Sequence, residues 1–198
     1  MSERNEMKTG QKRIRVLPLI SQMLLIAAIM LMLPLPSMAA TAKEINRDVD
    51  SALQKLYDST PAAKNLAKIA KGILVFPNII KGGLIVGGQY GEGALRMNGK
   101  TSGYYKTAAA SYGLQAGAQS FGYALFFIDN EGLSYLKKSE GWEIGVGPSL
   151  VIVDEGMARS LTTTTVQSGV YAFFFNQQGL MAGLGIQGSK ITPFKPKR

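Results

Sequence analysis

Apolar residues recur at helical spacing in one early segment: Ile45, Val49, Ala52, Leu53 and Leu56 form a single stripe, with Lys43, Arg47, Asp48, Asp50 and Lys55 around the other side. Thr41-Ala42-Lys43-Glu44 before the stripe has the form of a capping box, in which hydroxyl and carboxylate each satisfy a free backbone N–H. This predicts a helix docked by its stripe on the protein's own core; lying on a membrane surface is the other use of such a stripe. A second helix is expected from Thr60-Pro61, with proline at its first position, to Lys71-Gly72, with glycine as its C-terminal cap. Ala62, Leu66 and Ile69 would bury one side of it. Lys64, Lys68 and Lys71 fall at i, i+4 and i+7 on the side left to solvent, and no acidic residue occurs from Thr60 to Tyr90.

After residue 72 the pattern changes to short apolar runs and period-two alternation. Ile73-Leu74-Val75-Phe76, closed by Pro77, and Gly83 to Tyr90 are two strand candidates. Asn98-Gly99 between Ala94–Met97 and Ser102–Tyr105 is a strong hairpin signal. Tyr112 to Gln119 alternates, and Gly122 to Ile128 has the form of a buried strand. Asn130 to Lys138 reads as one short helix. Ile144 to Val153, Gly169 to Phe175 and Leu180 to Ile191 complete the strands, and the Thr162–Thr165 run favours strand by β-branching. Few intervals could hold a crossover helix, so the sheet should be mainly antiparallel. Glycine within strands points to strong curvature or to the close passage of a backbone or ligand. The expected fold is α+β: a curved, mainly antiparallel, barrel-like or sandwich sheet covered by two N-terminal helices.

The first forty residues follow another pattern. Arg4, Lys8, Lys12, Arg13 and Arg15 precede a charge-free stretch from Val16 to Ala42, whose apolar centre, Met23 to Leu33, is 11 residues long. That length suits the core of an export signal and is short for a membrane span of about 20 residues. Pro34 and Pro36 break a helix, and Ser37-Met38-Ala39 offers small residues for cleavage after Ala39. Residues 1–39 are therefore expected to be a signal peptide and 40–198 the domain, in the periplasm or secreted, with peripheral membrane association. An uncleaved anchor from Val16 to Leu35 is the alternative.

Composition narrows the chemistry. In 198 residues there is no cysteine and no histidine, which excludes disulfides, thiolate nucleophiles, Cys/His zinc sites and histidine general bases. The 46% apolar content excludes a disordered chain. Net charge is +9, and losing the five basic and two acidic residues of the first 39 leaves +6. Gly183-Leu184-Gly185-Ile186-Gln187-Gly188 matches a dinucleotide fingerprint in letters only, because ten residues, two of them proline, follow it and leave no room for the acidic partner. Asp154-Glu155, Asp129 and Glu131 lack a histidine or a spaced acidic partner and are expected to cap loops. No nucleophile elbow occurs, and no basic helix or aromatic platform for nucleic acid. A non-enzymatic protein without a cofactor follows, and nucleic acid is not its partner.

Ala70 to Pro77, Lys81 to Leu95, Tyr112 to Gln119 and Gly145-Val146-Gly147-Pro148 together form an ordered series of glycine blocks that resembles the SYLF domain, over roughly residues 45 to 195. Where that family often carries Trp-Ser-x-Pro after the first hairpin, this chain has Tyr104-Tyr105-Lys106-Thr107-Ala108. The resemblance implies a lipid-binding domain, and for an exported chain it implies anionic phospholipid. Lys64, Lys68, Lys71 and Lys81 occupy the basic opening region and are the expected lipid-binding residues. Firm attachment would also need apolar insertion, from helix Ala42–Tyr57 or from a pocket under the curved sheet. An outer-membrane β-barrel, and a structural or stress-related envelope protein without a specific ligand, are the alternatives.

Overall fold

The computed structural model describes residues 40–83, 86–112, 117–138, 141–143, 150–153, 166, 169–179 and 189–197. Residues 1–39, expected to be a signal peptide, and Asp154-Glu155, Thr162–Thr165 and Gly183–Gly188 lie outside the described residues.

Helix α1 (Ala42–Ser59) begins at the capping box anticipated for it: Thr41 Oγ1 accepts from the Glu44 N–H at 3.3 Å, and Glu44 Oε2 accepts from the Thr41 N–H at 2.8 Å. Its five stripe residues are all buried in the protein's own core, so the stripe is not available for a membrane surface. Thr41→Ala should cost about 1 kcal/mol, because one helical N–H loses its acceptor while the reciprocal backbone bond from Glu44 survives. For a domain of this size that is a fall in Tm of roughly 3 °C, measurable by calorimetry.

Helix α2 (Pro61–Ala67) starts at Pro61 as expected, but stops earlier than the sequence suggests. Its C-cap is Lys68, and the chain tightens there through Lys68 N–H to Asn65 O and Ile69 N–H to Leu66 O. Gly72 is not the helix cap. The Lys71 N–H already donates to Phe127 O at 2.7 Å, so sheet pairing has taken over the backbone before Gly72 is reached.

Eight described strands form one sheet: β1 (Gly72–Gly83), β2 (Val86–Met97), β3 (Lys100–Tyr112), β4 (Gly117–Phe127), β5 (Trp142–Glu143), β6 (Leu150–Val153), β7 (Val170–Gly179) and β8 (Lys190–Phe194), in the order β5-β8-β3-β2-β1-β4-β7-β6. All pairings are antiparallel except the parallel pair β6–β7. Helix α3 (Asn130–Lys138) links β4 to β5 and has the bounds the sequence suggests. Asp129 caps it, accepting from the Gly132 N–H at 2.9 Å and bridging to the Gly169 N–H at 2.6 Å.

The class read from the sequence is thus the class found, α+β with two N-terminal helices on a curved antiparallel sheet. The curvature follows from ring contacts. Five strand steps separate β4 from β5, about 24 Å in a flat sheet, yet the Phe127 and Trp142 rings are 5.9 Å apart. The sheet therefore curls on itself in the manner of a barrel. The described strands leave it open, with β5 and β6 as its ends and no second stacked sheet among them.

Curling gives two cores. The outer face, with Ile73, Val75, Phe126 and Phe173, is covered by Val49, Leu53, Leu56 and Leu66 of the N-terminal helices. The inner face holds Phe76, Tyr123, Leu125, Phe127 and Trp142, and α3 contributes Leu133 and Leu136.

Strand β1 does not end at Pro77. Phe76 and Pro77 form a bulge, with register shifts between Val75 and Asn78 toward β2 and between Phe76 and Ile79 toward β4. Proline needs no ladder partner in such a bulge. A further shift between Ser120 and Gly122 sets a bend line across β1, β4 and β7. The Asn98-Gly99 turn has φ of 49° and 72°, the left-handed pair of a type I′ hairpin.

Candidate functional site

The β2–β3 hairpin, the C-terminal end of α2 and the last turns of α3 meet at one end of the molecule. Lys64, Lys68 and Lys71 are exposed there, and no described carboxylate lies within 4.0 Å of any of them. Lys68 Nζ donates only to Asn65 Oδ1, at 3.1 Å. The arrangement follows from the fold of α2: Ala62, Ala63 and Leu66 are buried, which turns positions 64 and 68 outward.

Lys81 is elsewhere. It pairs with Gln89 and Gln119 near the far end of β1, nine residues from Gly72. At 3.3 Å per residue that is up to about 30 Å along the strand. The four-lysine cluster expected from the sequence is thus a cluster of three. The cause is the passage of β1 through Pro77, which carries Lys81 away when a chain break would have turned it back.

Other cations take its place. Lys137 Nζ lies 3.2 Å from Met97 Sδ, and Met97 Cγ sits 3.4 Å from the Cβ position of Gly72, next to Lys71. Lys100 is exposed at the start of β3, beside the hairpin turn.

Beside Lys68 is a cleft of about 320 Å³. Asp50 and Tyr57 of α1, Lys68, Arg96 of β2, and Asn98 and Gly99 of the turn form its polar wall. Leu53 and Ile73 form part of its apolar wall. Arg96 is fixed on several sides. Nη2 donates to Asn46 O at 3.1 Å and to Asp50 Oδ1 at 2.5 Å, and Nη1 donates to Thr101 Oγ1. Thr101 Oγ1 donates to Asn46 Oδ1 at 2.7 Å, and Asn46 Nδ2 donates to the Tyr104 hydroxyl at 3.0 Å. Arg96 Nε is buried without a partner. Burial pushes the Tyr57 phenol above its ordinary value of 10, so it remains a donor at neutral pH.

Sequence reading missed Arg96, Asp50 and Tyr57. The hairpin signal at Asn98-Gly99 lies beside Arg96, but the ion pair spans 46 positions, and no local pattern announces such a contact.

The far half of the sheet offers a different surface. One row across the strands, Ser120–Ile80–Tyr90–Ala108, is left uncovered by the helices, with Ile80 61% and Tyr90 49% exposed. Tyr90 donates to Glu92 Oε1 at 2.5 Å, and burial, followed by this carboxylate, pushes its phenol to about 12.

Among the described residues no three acidic side chains gather as a metal site, and no helix is long and apolar enough to cross a membrane. No family model matches the chain, and no curated protein matches it.

Proposed function

We propose that the protein is a non-enzymatic, exported binder of anionic phospholipid, which meets the membrane with the end that carries Lys64, Lys68 and Lys71. The observation that carries this reading is that three exposed ammonium groups with no described carboxylate within 4.0 Å lie on α2 and the turn after it, where Lys68 lines a cleft of head-group size, with Lys100 and Lys137 on neighbouring elements. The resemblance to SYLF domains supports the same reading. Each lysine near an anionic surface contributes about 1 kcal/mol, so three supply roughly 3 kcal/mol, or about 150-fold. Such attraction is reversible and salt-dependent. The outer-membrane alternative calls for an apolar outward face, whereas here α1 and α2 cover the outer face of β1, β4 and β7.

Flotation with vesicles of phosphatidylcholine alone, and of phosphatidylcholine mixed with phosphatidylglycerol, tests the reading. At low salt the protein should float only with the anionic vesicles. At about 1 M salt, where the Debye length is near 3 Å, it should stay in the soluble fraction. Equal binding to both vesicles, or binding indifferent to salt, would leave the envelope-protein alternative as the better account.

A further inference from the structure

We infer that the cleft between α1, the α2–β1 turn and the β2–β3 hairpin is a phosphate pocket built on Arg96, in which Asp50 holds the place of the ligand. This rests on the anionic-lipid reading and names the chemical group recognised at that same end.

The argument begins with the two partners of the ion pair, which are unequal. The Arg96 side chain is 12% exposed and that of Asp50 is 68% exposed. The guanidinium belongs to the wall, pinned by Asn46 O and by Thr101, which Asn46 and Tyr104 fix in turn. Asp50 approaches from the solvent side of α1 and has no other bond holding it there. Its carboxylate can leave for water at little cost, as exposed carboxylates do.

The pair is also incomplete. Nε and Nη2 form one edge of a guanidinium, two parallel donors that match two oxygens of a carboxylate or phosphate. Asp50 accepts only from Nη2, through Oδ1, and Nε has no acceptor although it is buried. A buried donor without a partner is costly. A phosphate set in place of Asp50 can span both donors. Two further groups on the cleft wall fit its remaining oxygens. The Lys68 ammonium has only the amide oxygen of Asn65 as partner, and the Tyr57 phenol, a donor at neutral pH, lines the same cleft. The cleft volume of about 320 Å³ is at the small end of ligand sites, suited to a phosphoglycerol head group rather than to a whole lipid. The acyl chains would stay outside, in the membrane that Lys64 and Lys71 face.

The pairing gives a prediction opposite in sign to a structural role. Removing the charge of Asp50 frees the Arg96 edge, so Asp50→Asn should tighten phosphate binding, by about tenfold. If Asp50 only braces the helix, the same change leaves binding unaltered or weakens it. Calorimetric titration of the full chain with inorganic phosphate and with soluble dihexanoyl phosphatidic acid reads this directly. Arg96→Lys, which keeps the charge but loses the fork, should weaken both by about tenfold or more. Equal tightening toward both probes identifies phosphate itself as the ligand, and tightening toward the short lipid alone identifies the lipid head group. An Asp50→Asn protein with unchanged or weaker affinity for both overturns the inference. The two readings fail separately. A silent Asp50→Asn with salt-sensitive flotation intact removes the pocket and keeps the membrane surface. Tighter phosphate binding without flotation removes the surface and keeps the pocket.

Discussion

Gly93→Ala should lose more than about 3 kcal/mol of stability, enough to lower Tm by roughly 10 °C or to send the protein into inclusion bodies. Gly93 lies opposite the Phe76-Pro77 bulge, where β1 has two residues against one on β2. A Cβ at Gly93 would fall on the Val75 carbonyl oxygen, with Val75 C at 2.8 Å and Phe76 Cδ1 at 2.9 Å. Two of these three atoms are backbone, so no rotamer change relieves the clash. Relief must come from moving β1 away from β2 at the bend on which the inner and outer cores both depend. Gly88→Ala is the matched control five residues earlier on the same strand. There the nearest atom would be Ala109 O at 3.5 Å, an ordinary contact. Its effect should stay within about 1 kcal/mol, toward stabilisation if the loss of backbone freedom in the unfolded chain dominates. Thermal unfolding of both variants by circular dichroism checks the pair. Similar behaviour of the two would mean that the bend is not a tight backbone approach.

That contrast also marks how much was legible beforehand. Signals confined to a few neighbouring residues hold: the Thr41–Glu44 box, the α1 stripe, the Asn98-Gly99 turn, the bounds of α3, and the buried run from Gly122, which ends at Phe127, one residue short of the expected Ile128. Each rests on chemistry within one or two turns of chain. Curvature was suggested by glycine inside strands, and Gly93 shows why, since it is the absence of a side chain that lets two backbones approach. The readings that changed all involve tertiary pairing. Pro77 has the look of a strand end, but a bulge absorbs its missing N–H and the strand runs on to Gly83. Lys71-Gly72 has the look of a helix end, but the Phe127 carbonyl claims the Lys71 N–H for the sheet. Lys81 shares the basic opening region with the other lysines in sequence, but β1 runs on through Pro77 and carries it opposite Gln89 and Gln119. Arg96 and Asp50 carry no local signature, and only the docking of α1 on β2 brings them together.

Reversing the three clustered lysines, Lys64→Glu with Lys68→Glu and Lys71→Glu, should abolish the preference for anionic vesicles, a loss of at least a hundredfold in partition at low salt. Removing three attractions of about 1 kcal/mol each already accounts for that, and the new carboxylates add repulsion. The fold should tolerate the change, because all three side chains are exposed and none has a described carboxylate within 4.0 Å; the main cost is a carboxylate at the end of α2, where its dipole disfavours negative charge by up to about 1 kcal/mol. Lys81→Glu alters the net charge by the same amount as any one of these reversals, so it separates position from charge. If the lysine end faces the bilayer, Lys81 stands up to about 30 Å away along β1, several times the Debye length of about 8 Å at physiological ionic strength. Measured at that ionic strength, its reversal should then change partition by less than about twofold. A protein that attracts lipid only through its overall positive charge would instead respond to Lys81→Glu as strongly as to Lys64→Glu. Co-sedimentation of the single and triple variants with phosphatidylglycerol vesicles decides between a directed face and a diffuse field, and equal losses from the two single reversals would refute the directed face.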